Sequence, residues 1–306
     1  MPIHSRPRAT TISRRGFLGA TGTLAGFSPA GRASVSRDST GLDQALLDTA
    51  LSRARKLPSL HSLVVARHGQ DLVAERLRGA GLDRPVNVKS VSKSVIAALV
   101  GRAIATGVLA GVDQPVEALL GDLVPADADP RIAAITVDHL LTMRAGLERT
   151  SGRNYGRWVA SADWVRHVLR QPFVAEPGGR MLYSTGSYHL LSVALTRASG
   201  RSTLALARDW LGAPLDIEIP PWTRDPQGFY MGGNNMALAP RALLRLGELY
   251  RAGGTYDGAR VLPAPWIEAS WTPYTRSVFT GHGYGYGWFI ARARGYRVAV
   301  IQKGTQ

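Results

Sequence analysis

The stretch Asn87-Val88-Lys89-Ser90-Val91-Ser92-Lys93-Ser94-Val95 is the most informative part of this chain. Apolar residues continue after it at helical spacing to about residue 107, so a helix is predicted to begin here. A separation of three residues places Ser90 and Lys93 on one face of that helix, with Cβ atoms about 5–6 Å apart. A serine hydroxyl becomes a strong nucleophile only when a neighbouring group takes its proton. The spacing therefore makes Ser90 a candidate nucleophile and Lys93 its candidate base.

A lysine can take that proton only as a neutral amine, which requires burial or a nearby positive charge. Arginine cannot replace it, because the guanidinium stays protonated. Only four of the 37 basic residues are lysines, and one of these four is Lys93. The helix start also offers a backbone N–H at Ser90 as half of an oxyanion hole. A helix N-cap beside a solvated lysine is the alternative, and the Ser-x-x-Lys spacing alone leaves both interpretations open.

Length and composition fit a folded chain of the α/β (α+β) class. The 306 residues are 45% hydrophobic and 19% charged, and they include no cysteine, which excludes disulfide frameworks, cysteine nucleophiles and Cys-based metal sites. Strand patterns lie at 62–75 and 284–301, and helical patterns lie at 42–56, 137–144, 162–169, 187–198, 203–211 and 240–251. We therefore predict an antiparallel sheet flanked by helices, with its strands at about 42–100 and 275–306 and a mostly helical insertion over about 101–274.

The first 33 residues have the pattern of an export signal. They carry five arginines and no acid, and the paired Arg14 and Arg15 precede a short apolar segment. This pattern resembles a twin-arginine signal, with cleavage after Ala30 or Ala33, and a disordered basic arm is the alternative. It predicts the twin-arginine export machinery as a partner, periplasmic or secreted localisation, and a mature domain over 34–306. No segment has the ~20 apolar residues that a membrane span needs.

The charge of the chain does not point to nucleic acid. Removal of residues 1–33 lowers the net charge from +15 to +10, and the remaining arginines are scattered instead of clustered on one element. The seven histidines form no recognised metal-ligand spacing, so no metal or other cofactor is expected. A Gly-x-Ser-x-Gly elbow is absent from the sequence as well. Tyr155 and Trp158 lie in a loop-like segment, and they are predicted to line a substrate cleft.

Several motifs in order resemble the β-lactamase-related serine hydrolases, the penicillin-recognising group. After the Ser90 stretch come 136–147, 177–191, 232–240, 256–258 and 284–288, and the resemblance covers most of 45–298. It is greatest to the esterase and 6-aminohexanoate-dimer hydrolase-like members. The resemblance implies that Ser90 is acylated, that Lys93 is its proton partner, and that Tyr183 acts as a general acid and base. Thr185 stands where the family often has asparagine, and it would contact the substrate carbonyl through one hydroxyl.

The family's third motif is a Lys-Thr-Gly, His-x-Gly or Gly-Gly-Gln element, expected just after Val300. Ile301-Gln302-Lys303-Gly304-Thr305-Gln306 stands there instead. We therefore expect a truncated or frame-shifted product in which the last strands and the helix of the fold are missing, with a short divergent member as the alternative.

The expected function is an exported hydrolase that forms a Ser90 acyl-enzyme from a small ester, amide or lactam-like substrate. A catalytically impaired or non-catalytic cell-envelope binding protein of the same fold is the alternative.

Overall fold

The computed structural model describes residues 41–293 and 296–300, without the side chains of residues 296 and 297. The predicted signal over 1–33 and the segment 301–306 lie outside these residues. The chain divides into Met1–Thr49 and Ala50–Gln306, and the core and the site belong to the second unit. None of the described helices is both long and apolar enough to cross a membrane.

Helices make up most of the regular structure, as the periodicity predicts. The α-helices are α1 (Gln44–Arg55), α2 (Ser92–Ala105), α3 (Val116–Leu120), α4 (Val137–Leu141), α5 (Tyr155–Val159), α6 (Trp164–Leu169), α7 (Thr185–Ser199), α8 (Thr203–Ala207), α9 (Ala213–Leu215), α10 (Pro240–Arg251) and α11 (Ala264–Ser270). Short 3₁₀ helices cover Lys89–Val91, Gly121–Leu123, Pro130–Ala134 and Gly152–Asn154, and a π-helical turn covers Arg208–Gly212.

The strands form antiparallel ladders. They are β1 (Ser62–Arg67), β2 (Gln70–Arg76), β3 (Val86–Asn87), β4 (Ala237–Leu238), β5 (Thr255–Tyr256), β6 (Ala259–Arg260), β7 (Thr275–Arg276), β8 (Gly283–Tyr284), β9 (Phe289–Ala293) and β10 (Tyr296–Val300). The order β10-β9-β8-β7 makes a four-stranded sheet, and the pairs β1-β2, β3-β4 and β5-β6 are separate. The predicted mixture of helices and antiparallel strands is confirmed.

The first hairpin forms where the sequence predicts it. β1 and β2 pair in the register Arg67↔Gln70, which leaves a turn of two residues, His68 and Gly69. Both have positive φ, +52° and +82°, as a type I′ turn requires. The sequence also predicts that this hairpin shares one sheet with the late strands. Among the described residues no hydrogen bonds join the β1-β2 ladder to the late strands, so a single sheet made of both is not observed.

Helices α2 and α7 lie at the centre of the core. Residues 92–101 of α2 and 185–195 of α7 are buried without interruption, and the two helices pack against each other. A helix buried on all sides needs an apolar surface all round, so a charged residue within it requires partners. Lys93 lies on α2, and the residues that contact its amine come from the turn before α2, from α7 and from the turn before β4.

Candidate active site

Ser90 lies on the 3₁₀ turn that leads into α2. Lys89, just before it, has a positive φ of +51°, and its N–H donates to Asn87 Oδ1 at 2.8 Å. The Ser92 hydroxyl donates to Lys89 O at 2.5 Å and accepts from Met236 N at 3.2 Å. The turn is therefore held from both sides. Ser90 is 8% exposed, which gives its hydroxyl a restricted opening to solvent.

Lys93 is buried beside Ser90. Its side chain is among the largest fully buried ones, and Nζ donates to Gly233 O at 2.6 Å. Nζ also lies 3.3 Å from Ser90 Oγ and 3.3 Å from Thr185 Oγ1. Burial lowers the pKa of Lys93 from its usual 10.5 to about 7. The amine is therefore neutral in a large fraction of molecules at neutral pH, the state in which it can accept the Ser90 proton.

Tyr183 lies next to this pair, on the segment before α7. Lys93 Nζ is 4.9 Å from the centroid of the Tyr183 ring, and the ring stacks on Phe289 with centroids 6.1 Å apart. Burial raises the pKa of the Tyr183 phenol to about 12, and a hydrogen bond with Ser90 opposes part of that rise. At neutral pH the phenol is therefore protonated and able to donate.

Two further hydroxyl groups extend from Lys93 toward the surface. The hydroxyl oxygens of Thr185 and Ser151 are 2.9 Å apart, and Thr185 N donates to Ser151 Oγ at 2.8 Å. Thr150 and Ser184 pair beside them at 3.1 Å. Ser151 was not predicted from the sequence, because the residue it contacts is 34 positions away and no local pattern marks it.

The Gly232-Gly233 turn supplies the acceptor for Lys93. A Cβ at Gly232 would lie 1.9 Å from Tyr188 O, so no side chain fits there. Gly233 has φ +79°, and a Cβ on it would lie 2.7 Å from the Tyr188 Cβ. Only glycines allow the backbone to approach α7 and Lys93 this closely. In the sequence, the stretch 232–240 contributes to the family resemblance, but no local pattern predicts this role for its glycines.

Tyr155 and Trp158 have different environments. Tyr155 is half-buried, and its hydroxyl accepts from Asn234 Nδ2 at 2.8 Å. Asn234 directly follows Gly233, whose carbonyl accepts from Lys93, so Tyr155 contacts the segment that holds the amine. Trp158 is fully buried, and its Nε1 donates to Trp164 O at 3.1 Å. We therefore correct the expectation that Trp158 lines a substrate cleft: its indole is part of the packed core and has no exposed face.

Other charged clusters do not extend this site. Within 41–293 and 296–300, no three potential metal-ligating residues come together. A groove of about 550 Å³ runs along α10, but the residues around Ser90 do not line it. Its arginines are paired with carboxylates: Arg241 with Asp71 and Asp83, Arg245 with Asp216, and Arg251 with Glu248.

Comparison with known proteins finds one matching family model and a partial match to a curated esterase. A family model described as Beta-lactamase matches residues 49–304. The chain is 29% identical over 191 residues to the esterase EstB of Burkholderia gladioli, a match that covers 57% of this chain and 48% of that esterase. The chain thus spans about half the length of this curated relative.

Solved structures show the same fold at low sequence identity. A D-stereospecific amidohydrolase from Streptomyces sp. superposes with a TM-score of 0.66 at 20% identity, covering 86% of this chain and 88% of that one. A penicillin-binding protein homologue from Pyrococcus abyssi gives a TM-score of 0.65 at 19% identity, and the match covers 84% of this chain and 67% of that one. At these identities the similarity shows the fold alone, which is the β-lactamase/transpeptidase-like fold.

Proposed function

The chain belongs to the beta-lactamase family, whose members are serine hydrolases, and we propose that it hydrolyses small esters or amides through an acyl-enzyme on Ser90. The observation that carries the proposal is the Lys93 amine. It is buried, its pKa is lowered to about 7, and it lies between Ser90 Oγ and the Gly233 carbonyl. Burial of an amine costs stability, and it supplies the neutral lysine that a general base requires.

Acylation begins with proton transfer from Ser90 Oγ to neutral Lys93 Nζ. The Ser90 oxygen attacks the substrate carbonyl carbon, and the carbonyl electron pair moves onto oxygen to give a tetrahedral oxyanion. The N–H of Ser90 lies ahead of the first hydrogen-bonded turn, which pairs Val91 N with Val88 O, so it is a candidate donor to that oxyanion. When the oxyanion collapses, the bond to the leaving group breaks and the acyl group stays on Ser90.

The leaving group must receive a proton, and Tyr183 is the proposed carrier. Its pKa of about 12 keeps the phenol protonated, and its ring lies 4.9 Å from Lys93 Nζ, so it is beside the Lys93 ammonium formed in the first step. The phenol transfers its proton to the departing oxygen or nitrogen, and Lys93 then returns a proton to Tyr183, so the step balances. In deacylation, the same groups take a proton from the attacking water and return it to Ser90.

A small ester, amide or lactam-like compound is the proposed substrate class. The esterase relative and the amidohydrolase neighbour support acyl transfer from oxygen or nitrogen. Thr185 and Ser151 supply hydroxyl groups beside Lys93, where a substrate carbonyl or leaving group would lie. We retain export to the periplasm or the medium as part of the proposal, because residues 1–33 carry the paired-arginine pattern.

Labelling with a fluorophosphonate probe tests the proposal. Wild-type protein should gain one adduct, which peptide mass spectrometry should locate at Ser90, and Ser90→Ala should gain none. Hydrolysis of short-chain p-nitrophenyl esters should disappear with the same substitution. No adduct on the folded wild-type protein would refute the mechanism. An adduct without ester or amide turnover would instead favour the non-catalytic binding protein.

A further inference from the structure

His189 and Asp225 form a buried pair that the proposed mechanism does not use. Both side chains have no exposed surface, and His189 Nε2 lies 3.0 Å from Asp225 Oδ2. The other Asp225 oxygen accepts the N–H groups of Gln227 at 3.0 Å and Phe229 at 2.8 Å. These bonds are of the kind that stabilise a buried carboxylate. Both carboxylate oxygens of Asp225 therefore have hydrogen-bond partners.

The neighbours of the ring select one tautomer of His189. Gly232 N–H donates to Nδ1 at 3.4 Å, so Nδ1 presents a lone pair and the ring proton is on Nε2, where it donates to Asp225. The indoles of Trp158 and Trp164 pack on the imidazole at 5.8 and 5.5 Å between ring centroids. Packing and hydrogen bonds together leave the ring one orientation.

The Gly232 contact connects the pair to Lys93. Gly233 follows directly, and its carbonyl accepts from Lys93 Nζ at 2.6 Å, the shortest of the three contacts of that amine. Two successive glycines have few preferences of their own in φ and ψ. The direction of the Gly233 carbonyl therefore depends on what holds the turn, and His189 holds it at Gly232.

We propose that His189 and Asp225 are positioning residues for Lys93: they fix the Gly232-Gly233 turn, whose carbonyl holds the amine against Ser90. This inference rests on the proposed function, in which Lys93 is the base. Neither residue touches substrate. Loss of the His189 contact would free the turn and let the Lys93 amine move from the Ser90 hydroxyl and become hydrated.

Two substitutions of His189 separate this role from general stability. In His189→Gln the amide reaches the Nε2 position and keeps the Asp225 contact, but the acceptor for Gly232 is lost. In His189→Asn the amide oxygen occupies the Nδ1 position and keeps the acceptor. Ser270→Ala is the control, because it removes another buried hydrogen bond, from Ser270 Oγ to Trp266 O at 2.7 Å, outside the Lys93 site.

Two measurements on the full-length protein report the outcome. The first is the rate of fluorophosphonate labelling, with kcat and KM for an ester. His189→Gln should lower labelling and kcat about 10²-fold with KM little changed, while His189→Asn recovers most of the rate. The second is an NMR titration of ¹³C-labelled lysine, which is resolvable because the chain has four lysines. In His189→Gln the Lys93 midpoint should move upward by about one pH unit.

The two measurements also separate this proposal from the proposed function. An unchanged Lys93 midpoint and unchanged labelling in His189→Gln would overturn the positioning role, as would equal losses in His189→Gln, His189→Asn and Ser270→Ala. If wild-type Ser90 takes no label but the Lys93 midpoint still moves in His189→Gln alone, the positioning role stands and the hydrolase proposal fails.

Discussion

Replacing Lys93 with methionine should stabilise the protein at neutral pH and abolish acylation. Lys93 is 1% exposed, and among the described residues its amine lies within hydrogen-bond distance of one carbonyl and two hydroxyl oxygens. Methionine has a similar length and fits the same apolar surroundings without desolvating a charge. The substitution therefore measures what burial of the amine costs.

The size of the effect follows from the pKa. Lysine titrates near 10.4 in an unfolded chain and about 7 in the folded protein. The folded state thus binds fewer protons between these two values, so wild-type stability rises with pH across that window. At about 1.4 kcal/mol per pKa unit, keeping the amine costs about 4 kcal/mol at pH 7 and about 2 kcal/mol at pH 9. The unpaired Gly233 carbonyl offsets about 1–3 kcal/mol of the gain at every pH.

Urea unfolding of Lys93→Met and wild type at several pH values between 7 and 9 checks this. The stability advantage of the variant should shrink by about 2 kcal/mol over that range. Lys56→Met, at an exposed position, is the matched control and should show no such trend. A difference between Lys93→Met and wild type that stays constant from pH 7 to pH 9 would refute a lowered Lys93 pKa.

Three further substitutions test the other contacts. Tyr183→Phe should lower kcat about 10²–10³-fold with little change in KM, measured by steady-state ester hydrolysis; a change within twofold contradicts its role as proton carrier. Gly232→Ala places a Cβ 1.9 Å from Tyr188 O, so thermal unfolding should show a loss of about 1–3 kcal/mol or more, and an unchanged midpoint would argue against the tight turn. Trp158→Ala should lower the free energy of unfolding by about 3–5 kcal/mol and leave the KM of the folded protein unchanged. A raised KM with unchanged stability would instead indicate that Trp158 lines the substrate cleft.

Local patterns predicted most elements of the fold. The β1-β2 hairpin and helices α2, α7 and α10 follow from periodicity and from turn residues such as Gly69, because these signals act between neighbours in the chain. Pairing between distant strands depends on packing that no local pattern encodes. The predicted single sheet thus goes beyond the ladders found among the described residues.

The candidate site is likewise predictable only where its residues are near one another in the sequence. The proximity of Ser90 and Lys93 was predictable because they are three residues apart, across the short turn that leads into α2. The acceptors that hold the amine, Thr185 and Gly233, are 92 and 140 positions away along the chain, and only the folded chain brings them together. A tryptophan beside glycines and arginines predicts an exposed Trp158, whereas tertiary contacts bury it.

The pH dependence of Ser90 labelling tests whether a neutral Lys93 is the base. The rate of fluorophosphonate adduct formation at Ser90 should rise tenfold per pH unit below pH 6 and level off above a midpoint of about 7, the pKa of the buried amine. A rate that continues to rise through pH 9, as a lysine with its usual pKa requires, or a label that never reaches Ser90, would contradict the assignment.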